Sequence, residues 1–304
     1  MPKSQMRLMW PLLGALLLAV VGWAPDTAAS DPAEPQSLEQ GLLFSVAPPD
    51  HGEPPSWLFG TIHSSDPRVL SLPKAVEAAF SAADVLVLEI VPDAGALARS
   101  TALMRLAEGR RLQQVLPADL YQRTLLAMTA QGVPATAVDG MKPWALAILL
   151  SLPPGQTGDV LDLMLYRRAL GDGKQVLGLE TMAEQLSVFD GLSDADQLML
   201  LEEAVDSLPQ LAAALEQLLL AYLGRDLGAL LALEQTQLAR GDQALAARLR
   251  EALIDARNRE MADRLISVLG QRSHFVAVGA LHLPGQGGLL ERLRDAGFVI
   301  ERVY

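Results

Sequence analysis

Trp57-Leu58-Phe59-Gly60-Thr61-Ile62-His63 and Val276-Ala277-Val278-Gly279-Ala280-Leu281-His282 stand near opposite ends of the chain and share one pattern. Each is a short apolar run, read as a buried strand, that ends in Gly-x-x-His. The first is followed by a loop with Pro67, a helix opened by Pro73 and running through Phe80, and the apolar strand Val85–Ile90, which carries Glu89. Proline in a first helical turn costs no hydrogen bond. The second is followed by a loop with Pro284, Gly285, Gly287 and Gly288, a helix Leu289–Ala296, and a closing strand Phe298–Val303 with Glu301. The expected fold is therefore α/β: a pseudo-symmetric repeat of strand–Gly-x-x-His–loop–helix–strand units that forms a central sheet. Strands joined through a helix normally run parallel with a right-handed crossover. The carboxyl ends of such strands hold the ligand crevice.

Working outward, residues from about 95 to 270 read as a large helical insert over that edge, a cap. Gly109, Pro117, Gly132–Pro134 and Pro153-Pro154 break it into helices. It also contains one short strand, Gln175–Leu179, ending at Glu180. Its Leu-rich stretch 211–238 has helical spacing, the pattern of helix packing. Gly41–Val46 is the one strand-forming stretch in the Pro- and acid-rich lead-in.

The extreme N-terminus reads as an address. Lys3 and Arg7 precede an uncharged run, Leu8–Ala24, and then small residues, Thr27-Ala28-Ala29-Ser30. Residues 1–29 are thus expected to be a signal peptide, 30–55 a flexible segment and 56–304 the α/β domain. Cleavage implies export to the periplasm or beyond; an uncleaved run would leave an N-terminal membrane anchor. The chain has no cysteine, which excludes disulfides, thiolate metal sites and a cysteine nucleophile. A formal charge of −12 argues against nucleic acid as a partner.

Signatures of zincins, P-loops and serine hydrolases are absent, so the four histidines are weighed singly. His51 lies in a turn-rich stretch and His274 opens a strand, away from both turns. His63 and His282 each follow a strand end by the same spacing, and neutral imidazole is a good ligand for Zn, Mn, Co or Fe. The structural alternative is two histidines that cap strands and bond to loop backbone. Glu89 and Glu180 each end a buried strand, where a carboxylate needs a metal, an arginine or a proton. Pairing with Arg257 or Arg259 is the alternative to ion binding. Glu301, followed by Arg302, reads as an ordinary ion-pair residue. Two histidines with one or two carboxylates form a nitrogen-and-oxygen site with open positions, suited to a catalytic divalent ion.

These residues have a family likeness. Gly60-Thr61-Ile62-His63, Leu88-Glu89, Gly178-Leu179-Glu180 with Glu184-Gln185, Arg257-Asn258 with Met261, and Val278-Gly279-Ala280-Leu281-His282-Leu283-Pro284-Gly285 resemble, in order, the TraB/GumN family, which includes the Tiki-type metalloproteases. The resemblance implies a metal-dependent protease-like hydrolase supported by Mn or Co. It makes His63, His282 and Glu89 metal-site residues and Glu180 a second acidic group. Arg257 and Asn258 would orient the site or substrate. Its expected partner is a peptide or protein substrate. In such a reaction Glu89 or Glu180 would take a proton from water and Arg257 would steady developing negative charge. Two other readings stay open: an envelope protein that binds haem or metal without catalysis, and a non-catalytic interaction protein.

Overall fold

The computed structural model of the chain describes residues 38–48, 55–92, 94–153, 159–238 and 241–304. The expected signal peptide, most of the expected flexible segment and His51 lie outside the described residues. Among the described residues, no helix is long and apolar enough to cross a membrane.

The architecture is mixed α/β, with many helices around a six-stranded sheet. The strands are β1 (Leu43–Ala47), β2 (Ser56–Thr61), β3 (Val85–Ile90), β4 (Gln175–Glu180), β5 (His274–Gly279) and β6 (Val299–Arg302), in the order β4-β3-β5-β2-β1-β6. β2, β3 and β4 form a parallel set with β5, and β1 runs antiparallel to both β2 and β6. Val85-Leu86-Val87-Leu88 is buried throughout, as an uninterrupted apolar run in a strand covered on both faces demands.

Strand order departs from a simple β-loop-α-β pairing. β2 and β3 run the same way, but each pairs with β5, which the chain inserts between them some 180 residues later. β6 closes the second unit at the far edge, held off from β2 by β1. β1 comes from the lead-in, so the sheet takes in a strand from before residue 56. The strand order by itself therefore shows no repeat. It does place the two Gly-x-x-His strands side by side, with Gly60 opposite Val278 and Thr61 opposite Gly279. Connections leave these neighbours in opposite directions, β2 towards β3 and β5 towards β6. The carboxyl ends of parallel strands are where an open α/β sheet holds its ligand.

Two apolar cores result. One wraps the sheet, where Phe275 of β5 contacts Phe59 and Phe80, with ring centroids 5.7 and 5.4 Å apart. Aromatic pairs of this kind add about 1 kcal/mol each beyond area burial. The other lies among the cap helices between Ala94 and Asp206, centred on Pro143–Leu150, whose eight residues are all buried. A helix apolar on every side must sit inside a core. Ile90, at the carboxyl end of β3, belongs to this second core, so the cap closes over the strand ends that carry the site.

Candidate functional site

Three neighbouring strands, β3, β5 and β2, deliver Glu89, the His282 turn and the His63 turn. At the end of β2, a Cβ on Gly60 would stand 2.9 Å from Leu283 Cδ1 and 3.1 Å from Ala280 Cα. Only glycine lets the two turns pack this closely. From below, the buried Tyr222 hydroxyl donates to the Gly60 carbonyl at 2.9 Å. The Thr61 hydroxyl donates to Asp162 Oδ1 at 2.8 Å, and His63 Nδ1 stands 3.4 Å from Asp162 Oδ2. Asp162 lies in the first turn of the helix Leu161–Gly171. Burial raises its pKa; the His63 charge and the Thr61 hydroxyl oppose this, and the charge of Glu89 adds to it.

The second turn is built differently. After Gly279, Ala280–His282 winds into one 3-10 turn, which buries the imidazole to 2% exposure. His282 Nδ1 lies 2.7 Å from Asn258 Oδ1, while Asn258 Nδ2 donates to the Gly287 carbonyl at 3.1 Å. With the amide nitrogen engaged there, the oxygen faces the ring, so the ring proton sits on Nδ1 and Nε2 keeps its lone pair. Burial, with the charge of Arg257, lowers the His282 pKa to about 4 against the pull of Glu89. The ring is neutral at pH 7, the form that binds metal ions.

Glu89 reaches the second turn from β3. Its Oε1 accepts the Gly279 N–H at 2.6 Å and lies 3.8 Å from His282 Nε2. A Cβ on Gly279 would come within 3.1 Å of the same oxygen, so this glycine serves the approach of a carboxylate. Oε2 accepts from Arg257 Nη2 at 2.5 Å and from Gln185 Nε2 at 3.1 Å. Burial alone would raise the Glu89 pKa. The charges of Arg257 and His282, the Gly279 N–H and His63 outweigh it and bring it to about 2. Glu89 is therefore ionised at neutral pH.

Arg257 also grips both oxygens of Glu180, with Nε at 3.1 and 2.9 Å and Nη2 at 2.7 Å, and Gln185 bridges to Glu180 at 2.9 Å. Of the two arginines weighed from sequence, Arg257 is the one that pairs with these carboxylates; Arg259 pairs with Glu251 instead. The remaining guanidinium nitrogen, Nη1, donates to the Leu253 carbonyl at 3.1 Å. That carbonyl belongs to a π turn, Glu251–Asp255, set in the helical run between Gln243 and Val268. A wide turn of this kind locally re-aims a helix and is frequent at functional sites. Here it precedes two successive inward residues, Arg257 and Asn258, 9% and 1% exposed.

Sequence reasoning reached His63, His282, Glu89, Glu180, Arg257 and Asn258; the last five meet in one cluster of hydrogen bonds and close charges, while His63 faces Asp162. It missed Asp162, whose only local signal is an acid in a first helical turn, favoured there in any helix. His274 lies at the start of β5, the opposite end from the site, and Glu301 is exposed on the far edge strand. Among the described residues, no three His, Asp or Glu side chains close on one point as an ion cage. The donor chemistry nonetheless suits a divalent ion. His282 Nε2 keeps a lone pair beside ionised Glu89.

Residues 45–302 match the TraB/PrgY/gumN family. The chain is 29% identical to metalloprotease TIKI2 of Danio rerio, over 92% of its own length and 65% of that protein. It is 28% identical to metalloprotease TIKI1 of Danio rerio (88% and 64%) and 26% identical to metalloprotease TIKI1 of Homo sapiens (96% and 68%). It spans just under two thirds of the length of the first two. No solved structure matches it. With the family match running from β1 to β6, the chain belongs to the TraB/PrgY/gumN family.

Proposed function

We propose that the protein is an exported, metal-dependent hydrolase of peptide bonds, with the two Gly-x-x-His turns as the two halves of one site. The observation that carries this reading is the neutral His282 ring, whose Nε2 lone pair lies 3.8 Å from the ionised Glu89. His63, His282 and Glu89 would hold a divalent ion, Mn, Co or Zn. When bound, such an ion supplies a Lewis acid that polarises the scissile carbonyl. The relatives named as metalloproteases support the reaction class. The charged start, apolar run and small residues before Ser30 support export.

The other residues take supporting parts. Asn258 fixes the His282 ring in the form whose free nitrogen faces Glu89. Arg257 has all its guanidinium nitrogens engaged within the protein, so it positions Glu89 instead of meeting substrate. Glu180 anchors Arg257 from the far side, and Gln185 ties the two carboxylates together.

A peptide-library cleavage assay on protein loaded with Mn, Co or Zn tests this. Cleavage by the loaded wild type, abolished by chelator and by His63→Ala/His282→Ala, is expected. Cleavage that survives the double substitution would end the proposal, as would a loaded wild type that cuts nothing.

A further inference from the structure

The two site histidines are backed by different chemistry, and one backing residue has no role so far. His282 Nδ1 meets an amide oxygen, Asn258 Oδ1. His63 Nδ1 instead faces a carboxylate, Asp162, which lies far away in sequence on the helix Leu161–Gly171. The Thr61 hydroxyl, two residues before His63, holds Asp162 Oδ1 at 2.8 Å. This sets the carboxylate's direction and leaves Oδ2 towards the ring. Oδ2 is buried and accepts no hydrogen bond, with His63 Nδ1 at 3.4 Å. A buried acceptor without a donor loses its hydration with nothing in return. The ring N–H is the donor in reach that removes this cost with a small rotation of the imidazole.

We infer that Asp162 is a positioning residue for the site: Thr61 aims its carboxylate, and the carboxylate holds His63 with the proton on Nδ1 and the Nε2 lone pair turned to the site. This rests on His63 being a working site residue, as proposed above. The arrangement answers that at His282, so both rings would present a bare Nε2. Ligating imidazoles are commonly fixed in this way through their second nitrogen by a carboxylate or carbonyl oxygen, and loss of that partner typically weakens metal affinity 10- to 100-fold.

Nitrogen-15 NMR of the imidazoles in metal-free protein at alkaline pH reads the tautomer directly. With only four histidines in the chain, His63→Gln and His282→Gln assign the signals. In the wild type, His63 is expected to be protonated at Nδ1. Asp162→Asn keeps the shape and the bond from Thr61 but turns a donor to the ring, so His63 should switch to the Nε2–H form while His282 is unchanged. Mn affinity should fall 10- to 100-fold with it, and Thr61→Val should give a smaller shift in the same direction. A wild-type His63 protonated at Nε2 overturns the assignment, and so does a His63 whose tautomer ignores Asp162→Asn. Should the variant fail to fold, the wild-type spectrum still decides. Because the readout needs neither metal nor turnover, it stands apart from the test of hydrolase activity.

Discussion

The His63 turn and the His282 turn share a motif and differ in nearly everything that surrounds it. His282 is buried and backed by a neutral amide, which is itself anchored to the Gly-rich loop through Gly287. His63 is backed by a carboxyl group, Asp162, anchored to its own strand through Thr61. The glycines differ too. Gly60 is small so that two pieces of the chain can touch, and Gly279 is small so that Glu89 can reach a backbone N–H. A repeated motif thus specifies where two rings arrive, while each ring's setting is built from separate, distant residues.

Removing the cation that both buried carboxylates share should have the largest effect. Arg257→Ala would leave Glu89 and Glu180 buried and unpaired; breaking a buried pair in this way typically costs about 3–5 kcal/mol. Urea unfolding should show it as a lower midpoint, and a midpoint within error of the wild type would mean the carboxylates do not depend on Arg257.

Next comes a direct contrast between the glycines. Gly60→Ala presses its methyl on the Ala280 backbone and on Leu283, whereas Gly279→Ala meets one carboxylate oxygen at 3.1 Å. Overpacking of this kind costs about 1–3 kcal/mol. Gly60→Ala is expected at the upper end and Gly279→Ala at the lower, measured by the same unfolding curves. Equal losses would show that the two glycines serve one purpose.

How much of this was legible depends on range. The apolar run Val85–Ile90 and the Gly-x-x-His endings mark buried strands and exits by local pattern alone, and all six strands lie close to where the residues place them. The pairing of Glu89 and Glu180 with Arg257 was one of two foreseeable outcomes, since a buried carboxylate must be compensated. The order of the strands was not legible, because β5 joins β2 and β3 from far along the chain. Nor was the π turn before Arg257, since its helical pattern continues on both sides. Asp162 was hidden for a plainer reason: an acid at the start of a helix has an ordinary explanation, and its contact with His63 spans 99 residues of sequence.

If the two turns act together as one metal site, the chain holds an ion only when both histidines are present. Elemental analysis after loading with Mn, Co and Zn, on wild type and on His63→Ala/His282→Ala, tests it most directly. About one ion per chain is expected in the wild type, and loss of that ion in the double variant, with both proteins folded. A folded wild type that retains no ion, or a double variant that retains it fully, would contradict it.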